Sequence, residues 1–337
     1  MDRQVAFAFV CFLGLAPVLA HPQKLVSGDE TRTKAEELVS KSSEKTNIWA
    51  PGGTPFFLLA NVHLQSGGKS VDGVYAVAWA SPTRFRRAFR FPDFTRTEVV
   101  VDDTLYRKQS SEAVPLLVWE LDKLLGFLDH PKLEPEAKVK DIKTAQAEGV
   151  EVTCLHLERL WGDSKVCLNA ATNELVSADT GSNARRLERL REHYRFSDYR
   201  PFQQKSVPWR LSFHGWDSQT VEVQVDKLIA AQSFPSDEFA PPSESKKSGF
   251  CREPKFEGAV KPSTGNTIPI GMGDIEVDMY FEVTPIGGVR YAQVVYSTAP
   301  LLNKEVLNWF VGTHFPIETC AGTPINYQTI IRFVTGH

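Results

Sequence analysis

Between Pro55 and Leu228 apolar residues recur at every second position in one short run after another: PFFLLANVHLQ, VDGVYAVAWAS, TRFRRAFRFP and RTEVVVDDTLYRK, then EVTCLHLERL, DSKVCLN, ELVSAD, HYRFSDYRPF, VPWRLSFHG and QTVEVQVDKL. Successive side chains of a strand point to opposite faces, so this period means half-buried antiparallel strands. Gly67-Gly68, Ser81-Pro82 and Pro92-Asp93 supply turns between them. The period changes once, in AVPLLVWELDKLLGFLDH, where Leu117, Leu121, Leu124, Leu125 and Leu128 form a helical stripe. A polar amphipathic helix over residues 31–45 precedes the first strand. The expected class is therefore α+β: one large curved antiparallel sheet, an incomplete barrel, with a helical lid across its concave face. Phe57, Tyr75, Trp79, Phe85, Trp119 and Trp209 are candidates to line a cavity there, or else simply core.

SFPSDEFAPPSESKKSG, residues 233–249, loses all periodicity to Pro, Ser and charge and reads as a linker. The expected organisation is a leader over 1–20, a β domain over 30–232, the linker, and a second domain over 250–337. In that second domain Ile275, Val277, Met279, Phe281 and Val283 alternate with polar residues, TPIGG turns the chain, and VRYAQVVYS returns. Asn303 is placed to cap a helix whose inner face carries Leu302, Val306, Trp309 and Phe310. FPIETCAGTPINYQTIIRF then forms a terminal hairpin, completing a ββαβ order.

MDRQVAFAFVCFLGLAPVLAHP has a basic residue, a short apolar run and small residues before His21, the layout of a cleavable secretory leader. The run is shorter than the ~20 residues of a spanning helix. An exported, periplasmic chain is expected, inner-membrane anchored if the leader is retained. Setting aside Cys11, four cysteines remain for an oxidising space. Cys154 and Cys167 flank a turn-like WGDS and can meet across a hairpin whose loop runs from Glu158 to Asp163. Cys251 and Cys320 are left for each other, stapling the start of the second domain to its last hairpin. A zinc site on Cys154, His156 and Cys167 is the rival reading, without a fourth ligand placed by spacing.

The net charge of −3 gives no basic surface for nucleic acid. RFRRAFRF is the one cationic cluster: Arg84, Arg86 and Arg90 share a face opposite Phe85, Phe89 and Phe91, as a solvated strand side or a contact for an anionic ligand. No nucleophile-and-base spacing, HExxH or phosphate loop occurs, and the Gly-Asp-Ser around Ser164 lacks a base. No enzyme and no cofactor or metal is expected.

The order of elements from Lys34 to Ala231, ending in YRFSDYRPFQQKSVPWRLSFHGWDSQTVEVQVDKL, resembles the LolA-like outer-membrane lipoprotein carriers. That resemblance implies a hydrophobic, lipid or acyl ligand under the lid. GGVRYAQVVYSTAPLLNKEVLNWF followed by FPIETCAGTPINYQTIIRFV resembles the TonB C-terminal domain over residues 251–334. Gly288, Val289, Ser297, Leu302, Trp309, Phe315, Pro316, Gly322 and Pro324 carry the pattern, while Asn303 stands where the family commonly has Asp. The resemblance implies an edge strand, Asn326, Tyr327, Gln328, Thr329, Ile330, Ile331, Arg332 and Phe333, onto which an extended segment of an outer-membrane TonB-dependent transporter or another envelope protein adds. Alternatives are a membrane-anchored TonB-type energy transducer and a structural envelope scaffold.

Overall fold

A computed structural model describes residues 28–129, 133, 137–147, 149–159, 162–181, 192–215, 218–251, 255–257 and 275–335. The expected leader, with Cys11, lies outside the described residues. Helix α1 (Gly28–Thr46) leads into a first meander, β1 (Phe56–Ser66), β2 (Lys69–Ser81), β3 (Arg84–Arg90), β4 (Thr95–Val101) and β5 (Thr104–Gln109). Helix α2 (Leu116–Asp129) separates it from a second meander. That one comprises β6 (Lys138–Ala147), β7 (Val150–Arg159), β8 (Gly162–Asn169), β9 (Leu175–Gly181), β10 (Glu192–Phe202), β11 (Lys205–His214) and β12 (Thr220–Ala230). β1 pairs with both β2 and β12, which fuses the meanders into one sheet. A short strand, β13 (Lys246–Gly249), completes its 13 strands in the order β13-β5-β4-β3-β2-β1-β12-β11-β10-β9-β8-β7-β6.

The alternation read in the sequence is the division of this sheet into two faces. Phe56, Leu58, Ala60, Val62 and Leu64 of β1 point inward with Tyr75, Val77 and Trp79, and α2 lies over them with Val118, Leu121 and Leu124. Leu121 and Leu124 are wholly buried, worth about 1.5–3 kcal/mol each. α1 covers the far end of the same face, Ala35 meeting Leu155 and Leu157. Gly73 in β2 is where the Phe91 ring crosses the backbone; a Cβ there would overlap the ring and come 2.7 Å from the Arg90 carbonyl.

The stretch expected to link the two parts packs along the sheet. Phe234 and Phe239 seat against Phe57, Ala78 and Val99 on the outer face, and β13 then adds to β5. This strap covers the edge of β5, which would otherwise present unpaired backbone groups.

Beyond it, β15 (Ile275–Val283) is the centre of a three-stranded sheet, between β16 (Val289–Ser297) and β19 (Tyr327–Thr335). Helix α3 (Asn303–Val311) packs on one face, where Val277, Met279, Phe281 and Val283 meet Val306, Phe310 and Phe315. The terminal hairpin differs from its expected form. β17 (Ile317–Cys320) turns at Ala321 and Gly322, both with positive φ, into β18 (Thr323–Ile325), and β17 also pairs with β14 (Lys255–Glu257) on its other side. β19 leaves them to pair with β15 instead. Asn303 is also not the cap: Leu302 holds that position without a side-chain bond, and the Asn303 Oδ1 is buried with no partner among the described residues. The 3-10 turn over Pro300–Leu302 starts the helical backbone before Asn303.

Candidate functional site

Cys154 and Cys167 lie directly opposite each other in β7 and β8 and are bonded. Pairing continues to Arg159 opposite Gly162, so the connection is shorter than the expected Glu158-to-Asp163 loop. With both sulfurs in a disulfide, the zinc reading has lost its thiolates, and His156 instead lies 2.9 Å from Asp141. Cys251 is bonded to Cys320, 69 residues away, tying the end of the strap to β17. Among the described residues no cluster of three or more His, Cys, Asp or Glu could hold a metal ion. Ser164 is buried in β8 with no hydrogen-bond partner for its hydroxyl among the described residues.

The lid is the first candidate feature, because polar contacts pin it at both flanks. On one side Asp122 of α2 takes Arg87 (3.1 Å) and Arg96. Those arginines belong to a network around Glu98, a wholly buried carboxylate whose Oε1 accepts from Arg107 Nε at 2.5 Å and whose Oε2 accepts from Arg87. Burial alone would raise the Glu98 carboxyl; Arg87, Arg107 and Arg96 outweigh it and hold it far below the usual carboxylate range. Register explains the cluster, since Glu98 is the direct cross-strand neighbour of Arg87 in β3 and of Arg107 in β5. On the other flank Lys123 of α2 reaches Glu120 (2.8 Å) and Glu192 of β10 (3.3 Å). There the Tyr194 hydroxyl donates to Glu192 at 2.9 Å and to Glu120 at 3.3 Å. Burial, with the two carboxylates beside it, pushes the Tyr194 phenol well up.

The C-terminal module is docked beside this network. Arg107 Nη1 donates to the Gln328 side chain of β19 at 2.6 Å. Tyr280, Val295 and Ile330 reach from the module into the main core, and burial pushes the Tyr280 phenol up to about 12. The three-stranded sheet therefore has α3 on one face and the sheet body on the other. Its β19 pairs with β15 along one edge, and the other edge carries no paired strand among the described residues. Of the expected edge residues, Tyr327 packs on the α3 side, its hydroxyl donating to the Pro316 carbonyl at 2.8 Å, and Ile331 shares that side. Gln328 and Ile330 face the body. Asn326 precedes the strand, Thr329 pairs with Phe281, and Arg332 and Phe333 pair with Asp278 and Val277.

The six aromatics proposed for a cavity are spread over both faces. Tyr75 and Trp79 are buried in the inner core, with Phe85, Trp119 and Trp209 partly buried against it. Trp209 also lies under the Arg200 guanidinium, 4.2 Å from the ring centroid. Phe57 is on the outer face and is the member of the six that lines a described cavity. The Glu98 network was not foreseen: Arg87 stood within a noted arginine run, but its acidic partners are identified only by strand register.

No family profile matches the chain, and no curated protein does. Solved structures do. The chain is similar to a LolA superfamily protein from Nitrosomonas europaea, at 12% identity over 61% of this chain and 97% of that one, with a TM-score of 0.42. It is similar to a DUF1329 family protein from Desulfovibrio piger, at 10% identity over 62% and 97%, with a TM-score of 0.44. It is also similar to MucB of the MucA/MucB complex of Pseudomonas aeruginosa, at 9% identity over 76% and 82%, with a TM-score of 0.28. The likeness of residues 251–334 to a TonB C-terminal domain rests on the quoted residues and the ββαβ order alone.

Proposed function

We propose that this chain is an exported, non-enzymatic protein of the cell envelope whose C-terminal module binds an extended segment of a partner by strand addition on β19. The observation that carries the reading is that no strand among the described residues pairs with the outer edge of β19. Both faces of its sheet are packed, so its edges, β19 and β16, are where main-chain donors and acceptors remain for a partner, and β19 is the one the sequence resemblance assigns. The two disulfides support an oxidising compartment. An outer-membrane TonB-dependent transporter, with an extended periplasmic segment, is the partner class that the sequence resemblance suggests.

Amide hydrogen exchange tests this without a partner in hand. Outward-facing amides of β19 should exchange far faster than those of central β15, and a transporter's N-terminal peptide should protect them. Equal protection of β19 and β15 in the free protein would mean that the edge is already covered, and the reading would fail.

A second reading concerns the lid. The underside of α2 is apolar and its pins are polar, an arrangement suited to lifting away from a hydrophobic ligand on the inner face. Entry then requires Asp122 to release Arg87 and Arg96. Asp122→Asn should increase uptake of a fluorescent fatty acid; unchanged uptake would leave α2 as a fixed part of the core.

A further inference from the structure

Arg84, Arg86 and Arg90 alternate with the inward Phe85, Arg87 and Phe89 and so stand on the outer face of β3. The strap shows what that face accepts. Phe239 is 6% exposed against Ala78 and Val99, with the Arg84 guanidinium 5.0 Å over its ring. Phe234 lies 4.9 Å from both Phe57 and Phe239, and Arg86 donates to the Glu238 carbonyl at 3.3 Å. The seated segment is thus an aromatic, acidic stretch, FPSDEF.

Beside the strap the same face is left uncovered by the described residues. A cavity of about 380 Å³ is lined by Phe57, Leu59, Ala76, Arg86, Arg90 and Lys227, and shares Arg90 with a wider trough of about 910 Å³. The smaller cavity already falls in the size range of ligand sites, roughly 300–1,000 Å³. Its apolar floor is open to solvent, Leu59 being 36% and the neighbouring Ile229 42% exposed. Its charged lining is Arg86, Arg90 and Lys227 against Glu238. Among the described residues Arg90 and Lys227 have no ion pair.

We propose that this stretch of the outer face binds an extended acidic segment of a partner protein, one aromatic side chain entering the cavity and flanking carboxylates meeting Arg90 and Lys227. The site continues the strap's own interface across β3, β2 and β1, and its surplus of positive charge selects against basic segments. It is separate from the β19 edge.

The test uses the full mature chain and the fluorescein-labelled peptide DEFADEF, read by fluorescence anisotropy. Saturable binding that weakens between low and physiological salt is expected, with no binding of KKFAKKF. Arg90→Glu with Lys227→Glu should raise Kd by about tenfold or more. Both are exposed positions, and an unchanged circular dichroism spectrum confirms folding. Amide exchange of β19 should be unaltered by the bound peptide. Absence of saturable binding at low salt, or equal Kd for the double variant, would overturn the proposal. So would protection of the β19 amides by the peptide, which would move it to β19. Phosphatidylglycerol vesicles captured through Arg90 and Lys227, with no peptide bound, would give the face to a lipid surface.

Discussion

Glu98→Gln keeps the side chain's shape and removes its charge from a site with no exposure to water. In the native cluster Glu98 faces Arg87, Arg96 and Arg107, and Asp122 faces Arg87 and Arg96; in the variant Arg87 and Arg96 keep Asp122, while Arg107 loses its carboxylate partner and keeps the neutral Gln328 side chain. The new amide also sets N–H donors against guanidinium donors. Removing one partner of a buried ion pair costs about 3–5 kcal/mol, because the remaining charge stays buried and uncompensated. At roughly 2–4 °C per kcal/mol for a chain of this size, the Tm should fall by about 6–20 °C. The pH dependence follows from the direction of the Glu98 shift. Its carboxyl is depressed below the ordinary 4.5, so its stabilisation is full above that value and lost as pH falls toward the folded pKa. The gap between wild type and variant should be constant from pH 8 to about pH 5 and narrow below about pH 4. Urea unfolding across this range, with thermal scans beside it, measures both quantities. A variant within about 1 kcal/mol of wild type at neutral pH would refute the reasoning, as would a gap that stays constant into acid.

The disulfides should differ in worth: Cys251→Ser with Cys320→Ser should cost about 4 kcal/mol and Cys154→Ser with Cys167→Ser about 3, because the first closes the longer loop. Paired urea titrations give the comparison, and a larger loss for the local bridge would contradict the chain-entropy account. Gly73→Ala should lower stability by about 1–3 kcal/mol, since Phe91 must leave its seat on the strand, and near-UV circular dichroism should show that ring displaced. Glu318 of β17, almost buried, has its carboxyl pushed up to about 7 by desolvation. An acid raised in the folded state weakens folding as pH climbs past the ordinary 4.5, an effect complete above the folded value. Glu318→Gln should therefore make exchange of the β17 amides less dependent on pH between 5 and 8; an identical pH profile would remove Glu318 as the cause.

Most strands of the large sheet, the lid helix, and β15, β16 and α3 were legible in the sequence because each is written in a local period, two or 3.6 residues, that burial of one face imposes; β6, in the charged KVKDIKTAQA, and the short β13, β14 and β18 were not. Cys154 and Cys167 were legible for the same reason, as a hairpin's register follows from its turn. The strap was not, because Phe234 and Phe239 seat singly on a surface built elsewhere and need no periodicity. Nor was the Glu98 network: the alternation of RFRRAFRF puts Arg87 on the side of Phe85 and Phe89, but only the pairing of β3 with β4 and of β4 with β5 brings Glu98 between two guanidiniums. β19 follows the same division. Its alternation is local, but its choice of β15 over β18 as neighbour is not. By itself the sequence determined most of the segments that become strands or helices and which face of each is apolar. Which strands sit side by side, which charges are buried together and which edge stays open were decided by the tertiary structure, since partners far apart in the chain meet only there.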